Sequence, residues 1–198
     1  MADFLAKIGL DKLERAVIYG LILAIILAIV SQSLHFDRMW IAFAVRWAHV
    51  ICGVMWVGLL WYFNFVQIPS MPRIPDEQKP AVTKVIAPTA LFWFRWAALA
   101  TVVTGLMVAV GGGYIHQALT FQSSHRLIGI GMWIGLVMAA NVWFVIWPAQ
   151  QKALGIVDAP ADARKAAARV AMLTSRVNTM LSIPMLYFMV AQQNLAAG

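Results

Sequence analysis

The chain has 198 residues, of which 62% are hydrophobic and only 12% charged, with a mean hydropathy of +0.78. Soluble domains carry about 25% charged residues, so the composition excludes an ordinary soluble domain and points to an integral membrane protein. The net charge of +7 reads as topology-setting lysine and arginine beside anionic headgroups, and no nucleic-acid partner is expected.

Residues 1–15 place Phe4, Leu5, Ile8 and Leu13 among alternating charges, the pattern of a short amphipathic helix lying on the cytoplasmic face. A transmembrane helix needs about 20 apolar residues, and five segments qualify, at about 16–34, 47–68, 96–115, 127–147 and 177–192. The first is read as a retained helix, because its apolar run is long and no small-x-small cleavage site follows it. Pro69, Pro72, Pro75 and Pro80 make 68–80 a cytoplasmic loop, since repeated prolines cannot continue a helix. Residues 86–94 lead into the third span at the interface, with Trp93 and Trp96 bracketing Arg95 at the level of an aromatic belt. Gly111, Gly112 and Gly113 end that span. Residues 149–176 form a cytoplasmic loop and helix, alanine-rich and charged from Ala159 to Val170. The expected fold is thus an all-α integral membrane protein, a five-transmembrane-helix bundle in a single membrane domain over 1–198.

Lysine and arginine set the orientation. Three precede the first span (Lys7, Lys12, Arg15), four lie between spans two and three (Arg73, Lys79, Lys84, Arg95), and five between spans four and five (Lys152, Arg164, Lys165, Arg169, Arg176). Only Arg38, Arg46 and Arg126 fall on the other side. The positive-inside rule then makes the N-terminus cytoplasmic and the C-terminus extracytoplasmic. The single cysteine, Cys52, lies inside a span and permits neither a disulfide framework nor covalent haem attachment.

Spans two and four share a pattern. Met55-Trp56-Val57-Gly58-Leu59 returns as Met132-Trp133-Ile134-Gly135-Leu136, and each copy is preceded by His-x-x-x-Gly, His49 with Gly53 and His125 with Gly129. Asn64 and Asn141 follow each tryptophan by eight residues. Residues four and seven apart share a helix face, so His49, Gly53 and Trp56 form one stripe, and His125, Gly129 and Met132 another. A histidine with a glycine one turn inward suits a porphyrin. The imidazole ligates iron, and the missing side chain lets the ring lie against the backbone. Two such stripes on parallel spans could clamp one non-covalent b-type haem, with His49 and His125 on the iron. Arg46 and Arg126 stand where propionates would emerge, or else snorkel to headgroups. The structural alternative is that the glycines serve helix packing and the histidines are interfacial hydrogen-bonders. With His35 and His116, all four histidines lie at extracytoplasmic span ends, which leaves a copper or zinc site open as well. The asparagines lie about 24 Å along their helices from the histidines and read as cross-helix hydrogen-bonders. No Ser/His/Asp set, carboxylate pair or phosphate loop is identifiable, so catalytic residues are unassigned. The lack of buried acids argues against a proton pump.

The segment RWAHVICGVMWVGLLWYFNF resembles the RWLH-x4-G-x-x-W-x-G segment of the urate oxidase N-terminal domain family, the membrane domain of bacterial membrane-bound urate hydroxylases. Met138-Ala139-Ala140-Asn141-Val142 through Pro148 and Gln150 is similar to a later span of that family, and Ser175 to Met189, with Asn178 and Pro184, to its closing span. The resemblance implies a multi-pass protein of the bacterial inner membrane, in a short form without the family's cytochrome c domain. It also implies a redox role, an oxidoreductase or electron-transfer subunit, whose partners are membrane lipids and an extracytoplasmic c-type cytochrome. Small haem-binding membrane proteins of the protoporphyrinogen oxidase type are a more distant likeness. The alternative is a non-catalytic accessory subunit packed against a larger respiratory or photosynthetic complex.

Overall fold

The computed structural model describes the backbone of residues 1–195 and, except at residues 2 and 3, their side chains; the last three positions of the expected domain lie outside the described residues. Among the described residues there are seven helices and no strand: α1 (Ala2–Lys7), α2 (Leu13–Val30), α3 (Arg38–Arg73), α4 (Lys79–Gly111), α5 (Ile115–Leu119), α6 (Ser123–Ala153) and α7 (Ala161–Leu195). Four of them, α2, α3, α4 and α6, are long and apolar enough to cross a membrane. These suit a multi-pass membrane protein. The chain divides into two compact units, Met1–Phe43 and Ala44–Gly198.

The first unit departs from the expected amphipathic helix over 1–15. The helix α1 stops at Lys7, and Gly9 takes a left-handed φ of +81°, where an added Cβ would collide with the Arg15 side chain. Glycine is the residue that accepts such a conformation without steric cost. No residue of α2 is buried.

In the second unit the helices run longer than the sequence pattern led one to expect, and prolines are the reason. The α3 helix continues through Pro69 to Arg73, and α4 already begins at Lys79, so the expected loop 68–80 shrinks to residues 74–78. A proline inside a helix removes one hydrogen bond, and its ring clashes with the carbonyl four residues back. Here a wide π-type stretch precedes the proline: Tyr62–Gln67 before Pro69, Val82–Ile86 before Pro88, and Val142–Ile146 before Pro148. In each, the backbone N–H just after the stretch bonds five residues back, from Ile68 to Phe63, Ala87 to Val82 and Trp147 to Val142. The wider turn displaces the carbonyls that the ring would strike, and the helix goes on. For the same reason residues 86–94 are not a separate lead-in but the middle of α4.

The expected fifth span, 177–192, is the second half of the 35-residue helix α7, which absorbs the charged stretch from Ala161 onward. It is not among the four long apolar helices, because Asn178, Ser182 and other polar residues dilute it. Those residues face inward. Asn178 is fully buried, donates to the Met138 carbonyl at 3.0 Å and accepts from Asn141 at 2.9 Å. The Gln192 side chain reaches the other end of α6, accepting from Ile128 N–H at 3.2 Å and donating to the Ser124 carbonyl at 2.9 Å. Both pairings place α7 antiparallel along the whole of α6. Asn64 donates to Ser175 at 2.8 Å and Trp61 to Ser182 at 3.0 Å, fixing α3 to the same helix. The core joins Trp56 and Leu60 of α3, Leu91, Phe94 and Ala98 of α4, Met138 and Val142 of α6, and Met185 of α7. At one point α6 and α7 come close enough that a Cβ on Gly131 would stand 3.2 Å from the Met189 nitrogen. Small residues of this kind permit close helix packing in membranes.

Candidate functional site

Above the Asn64–Ser175 layer the helices spread and leave a cavity of about 600 Å³, lined by α3, α4, α6 and α7. The lining is mostly apolar, with Arg46, Tyr114 and Gln193 among its polar members. Val54 of α3 and Val190 of α7 line it and are nevertheless 69% and 60% exposed. The cavity therefore opens sideways between these two helices.

His49 is the one histidine in the lining. Its Nδ1 lies 2.9 Å from the Thr101 carbonyl oxygen and 3.2 Å from Thr104 Oγ1. A carbonyl can only accept, so Nδ1 carries the hydrogen and donates, and in the neutral ring Nε2 holds the lone pair. Metal-binding histidines are oriented by such a bond, their second nitrogen donating to a backbone carbonyl or carboxylate. The ring packs closely against Gly105 of α4, where an added Cβ would stand 2.9 Å from Cε1 and 3.2 Å from Nδ1. Thr101, Thr104 and Gly105 escaped the sequence reading. Their signal was a Thr-x-x-Thr-Gly run in an otherwise apolar span, which places both threonines and the glycine on one helix face.

Arg46, Gly53 and Trp56 line the same cavity as His49. A Cβ on Gly53 would meet only Thr101 Cγ2, at 3.9 Å, so this glycine leaves open space one turn inward from the imidazole and is not a close-packing contact. Trp56 is 1% exposed, and its indole N–H has no acceptor among the described residues. A buried donor without a partner costs about 1–3 kcal/mol, and here it belongs to a residue of the cavity wall.

The second copy of the repeat is placed differently. His125, Arg126 and Gly129 are not in the lining. His125 stacks on Tyr114, with centroids 5.2 Å apart and rings 5° from parallel, and its Nδ1 is 2.9 Å from Ser124 Oγ. Gly129 is a packing glycine: an added Cβ would fall 2.1 Å from the Ala118 carbonyl oxygen of α5. Trp133 is 43% exposed and donates to the Leu119 carbonyl at 3.1 Å. Only Met132 of the second stripe faces the cavity. The structure thus brings Arg46, His49, Gly53 and Trp56 together and does not add His125 to them. Among the described residues no three His, Cys, Asp or Glu side chains are grouped to hold a metal ion, so the histidines do not form a copper or zinc cluster.

Residues 107–194 match the family model described as urate oxidase N-terminal. The matched stretch covers the end of α4 through α7, including Arg126, His125 and Gly129, and leaves out the segment of α3 that carries His49. No curated protein and no solved structure matches the chain.

Proposed function

We propose that the chain is a membrane-embedded redox protein that binds b-type haem in this cavity through His49 and passes electrons to an extracytoplasmic c-type cytochrome. The observation that carries the proposal is the imidazole held by the Thr101 carbonyl and seated on Gly105, with Nε2 as its unshared lone pair. The residues present fit the group. The wall is apolar, Gly53 leaves space beside the imidazole, and Arg46 stands one turn outward where a propionate needs a cation. When bound, the haem would supply one-electron chemistry at a potential set by its axial ligands and surroundings. His49 would hold the iron on one side, and Met132 is the residue of the opposite helix to test on the other. The lateral opening between α3 and α7 admits an apolar group from the bilayer, and the buried floor at Trp56 excludes water. In the same proposal α7, antiparallel to α6 along its length, completes the fifth crossing, with the N-terminus cytoplasmic.

An optical spectrum of the purified protein is the test. A Soret band that is lost or shifted in His49→Ala is expected; no band, or one unchanged in that variant, overturns the proposal. Adding urate to the loaded protein, and following both urate and haem absorbance, tells whether urate is an electron donor for this chain. The alternative, an accessory subunit of a larger respiratory or photosynthetic complex, draws on the apolar helix α2, none of whose residues is buried. It predicts co-purification with a large complex and a colourless isolated chain.

A further inference from the structure

A second site lies outside the cavity, around Arg95 in the middle of α4. Sixteen uncharged residues, 96–111, follow it along the helix, and Lys79 and Lys84 precede it. Arg95 marks the place where α4 passes from a charged half to an apolar one. Its Cζ sits 3.8 Å from the centre of the Trp147 ring and 5.9 Å from those of Trp143 and Phe92. Trp96 packs edge-on against Trp143, with centroids 5.5 Å apart, and at a tilt against Phe92 at 6.4 Å. Phe92, Trp93 and Trp96 are each about half exposed, so this aromatic wall is part of the outer surface of the bundle. None of these residues lines the cavity.

The hydrogen-bond ledger of this cluster is one-sided. Arg95 makes no ion pair with a described residue; the ion pairs formed are Lys79 with Asp76 and Arg164 with Asp158. Arg95 Nη1 and Trp143 Nε1 are both buried donors with no acceptor among the described residues. Arginine has five N–H donors and no acceptor, and tryptophan only a donor, so no rotation of these side chains satisfies either one from the other. Cation–π contact stabilises the face of the guanidinium but leaves its in-plane N–H groups unpaired. Two unpaired donors and one positive charge, held behind a half-exposed tryptophan-rich wall, call for a single complement that reaches in between the rings: an anionic oxygen at headgroup depth.

We propose that Arg95 and Trp143 form a binding site for the phosphate of an anionic phospholipid, seated between α4 and α6 and walled by Phe92, Trp96 and Trp147. The guanidinium donates to the phosphate oxygens, the Trp143 indole supplies a further donor, and the exposed aromatic rings cover the first carbons of the acyl chains. A zwitterionic lipid presents the same phosphate next to a cation that Arg95 repels, so selectivity for net negative lipids follows from the lone arginine.

Native mass spectrometry of the full chain, released from detergent after exchange into vesicles of phosphatidylglycerol or phosphatidylcholine, tests this independently of haem. Wild type should retain phosphatidylglycerol at least tenfold over phosphatidylcholine. Arg95→Gln should lose that preference. Trp143→Phe, which keeps the aromatic wall and removes only the donor, should weaken it severalfold and is the variant to rely on if Arg95→Gln fails to fold. Equal retention of the two lipids by wild type overturns the proposal, as does an undiminished preference in a folded Arg95→Gln or in Trp143→Phe. Inorganic phosphate is the third arm: if millimolar phosphate displaces the lipid and raises the melting temperature as much as the lipid does, the site is one for free phosphate and the lipid assignment falls.

Discussion

Gly105→Ala isolates the contact on which the haem proposal depends. The new methyl carbon would lie 2.9 Å from His49 Cε1 and 3.2 Å from Nδ1, inside contact distance, so the imidazole must move. Beside it is open cavity, and the ring can swing there without disturbing a backbone. Crowding of this kind costs about 1–3 kcal/mol, and alanine in place of glycine in a helix returns about 1 kcal/mol. The net loss of stability is therefore at most about 2 kcal/mol, and the protein stays folded. What the swing breaks is the 2.9 Å bond from Nδ1 to the Thr101 carbonyl. Loss of such an orienting bond typically weakens metal binding about 10–100-fold. Haem titration of the detergent-solubilised protein should show that drop, with the melting temperature shifted by only a few degrees. Gly20→Ala, on a helix where the new Cβ has no neighbour within 4 Å, is the control for helix propensity. A haem-independent reading comes from nitrogen NMR of labelled histidine: His49 should appear as the Nδ1-protonated tautomer in wild type and lose that signature in the variant. Wild-type haem affinity together with an unchanged tautomer in Gly105→Ala would refute the reasoning.

Asn178→Ala should destabilise the protein by about 1–3 kcal/mol, because it strips a fully buried side chain of its bonds to Asn141 and to the Met138 carbonyl where membrane hydrogen bonds are each worth about 0.6–2 kcal/mol; unfolding in mixed micelles measures it, and an unchanged midpoint would show that the pair is not a clasp. Gly129→Ala should cost about 2 kcal/mol or more, since the atom met at 2.1 Å is the backbone carbonyl of Ala118 and cannot swing aside. A folded Gly129→Ala of wild-type stability would mean that α5 does not rest on α6 there.

Helical, membrane-type architecture was legible in the composition and in the apolar runs, because burying a backbone in lipid leaves the chain few options. The ends of the helices were not. Reading Pro69 as a stop ignores the wide turn before it, which no residue pattern announces and which lets a helix carry a proline, and Pro80 stands in the first turn of α4, where a proline is tolerated. His49, Gly53, Trp56 and Arg46 were legible as a stripe because they share one helix face. Whatever seats His49 lies on another helix, 52 residues away, and a spacing rule cannot reach it. The same rule placed His125 beside His49, but tertiary packing draws it onto Tyr114 instead.

The two copies of the repeat are alike at one end and differ at the other, and the physics of the two ends differs accordingly. In lipid an asparagine side chain must find partners within the protein. Asn64 and Asn141 both find theirs on α7, at Ser175 and at Thr174 with Asn178, so α7 is gripped from both sides within one turn and its register is fixed. That constraint applies equally to both copies. At the histidine end the copies are free to differ, and the glycines decide how. Gly129 admits the short helix α5, whose Ala118 carbonyl fills the place a porphyrin would need, and the second copy is closed. Gly53 is approached only by a threonine methyl at 3.9 Å, and the first copy stays open. A repeated motif with one open and one filled glycine would offer the proposed haem one histidine and not a symmetric pair, so the proposal rests on His49 with a non-histidine partner across the cavity.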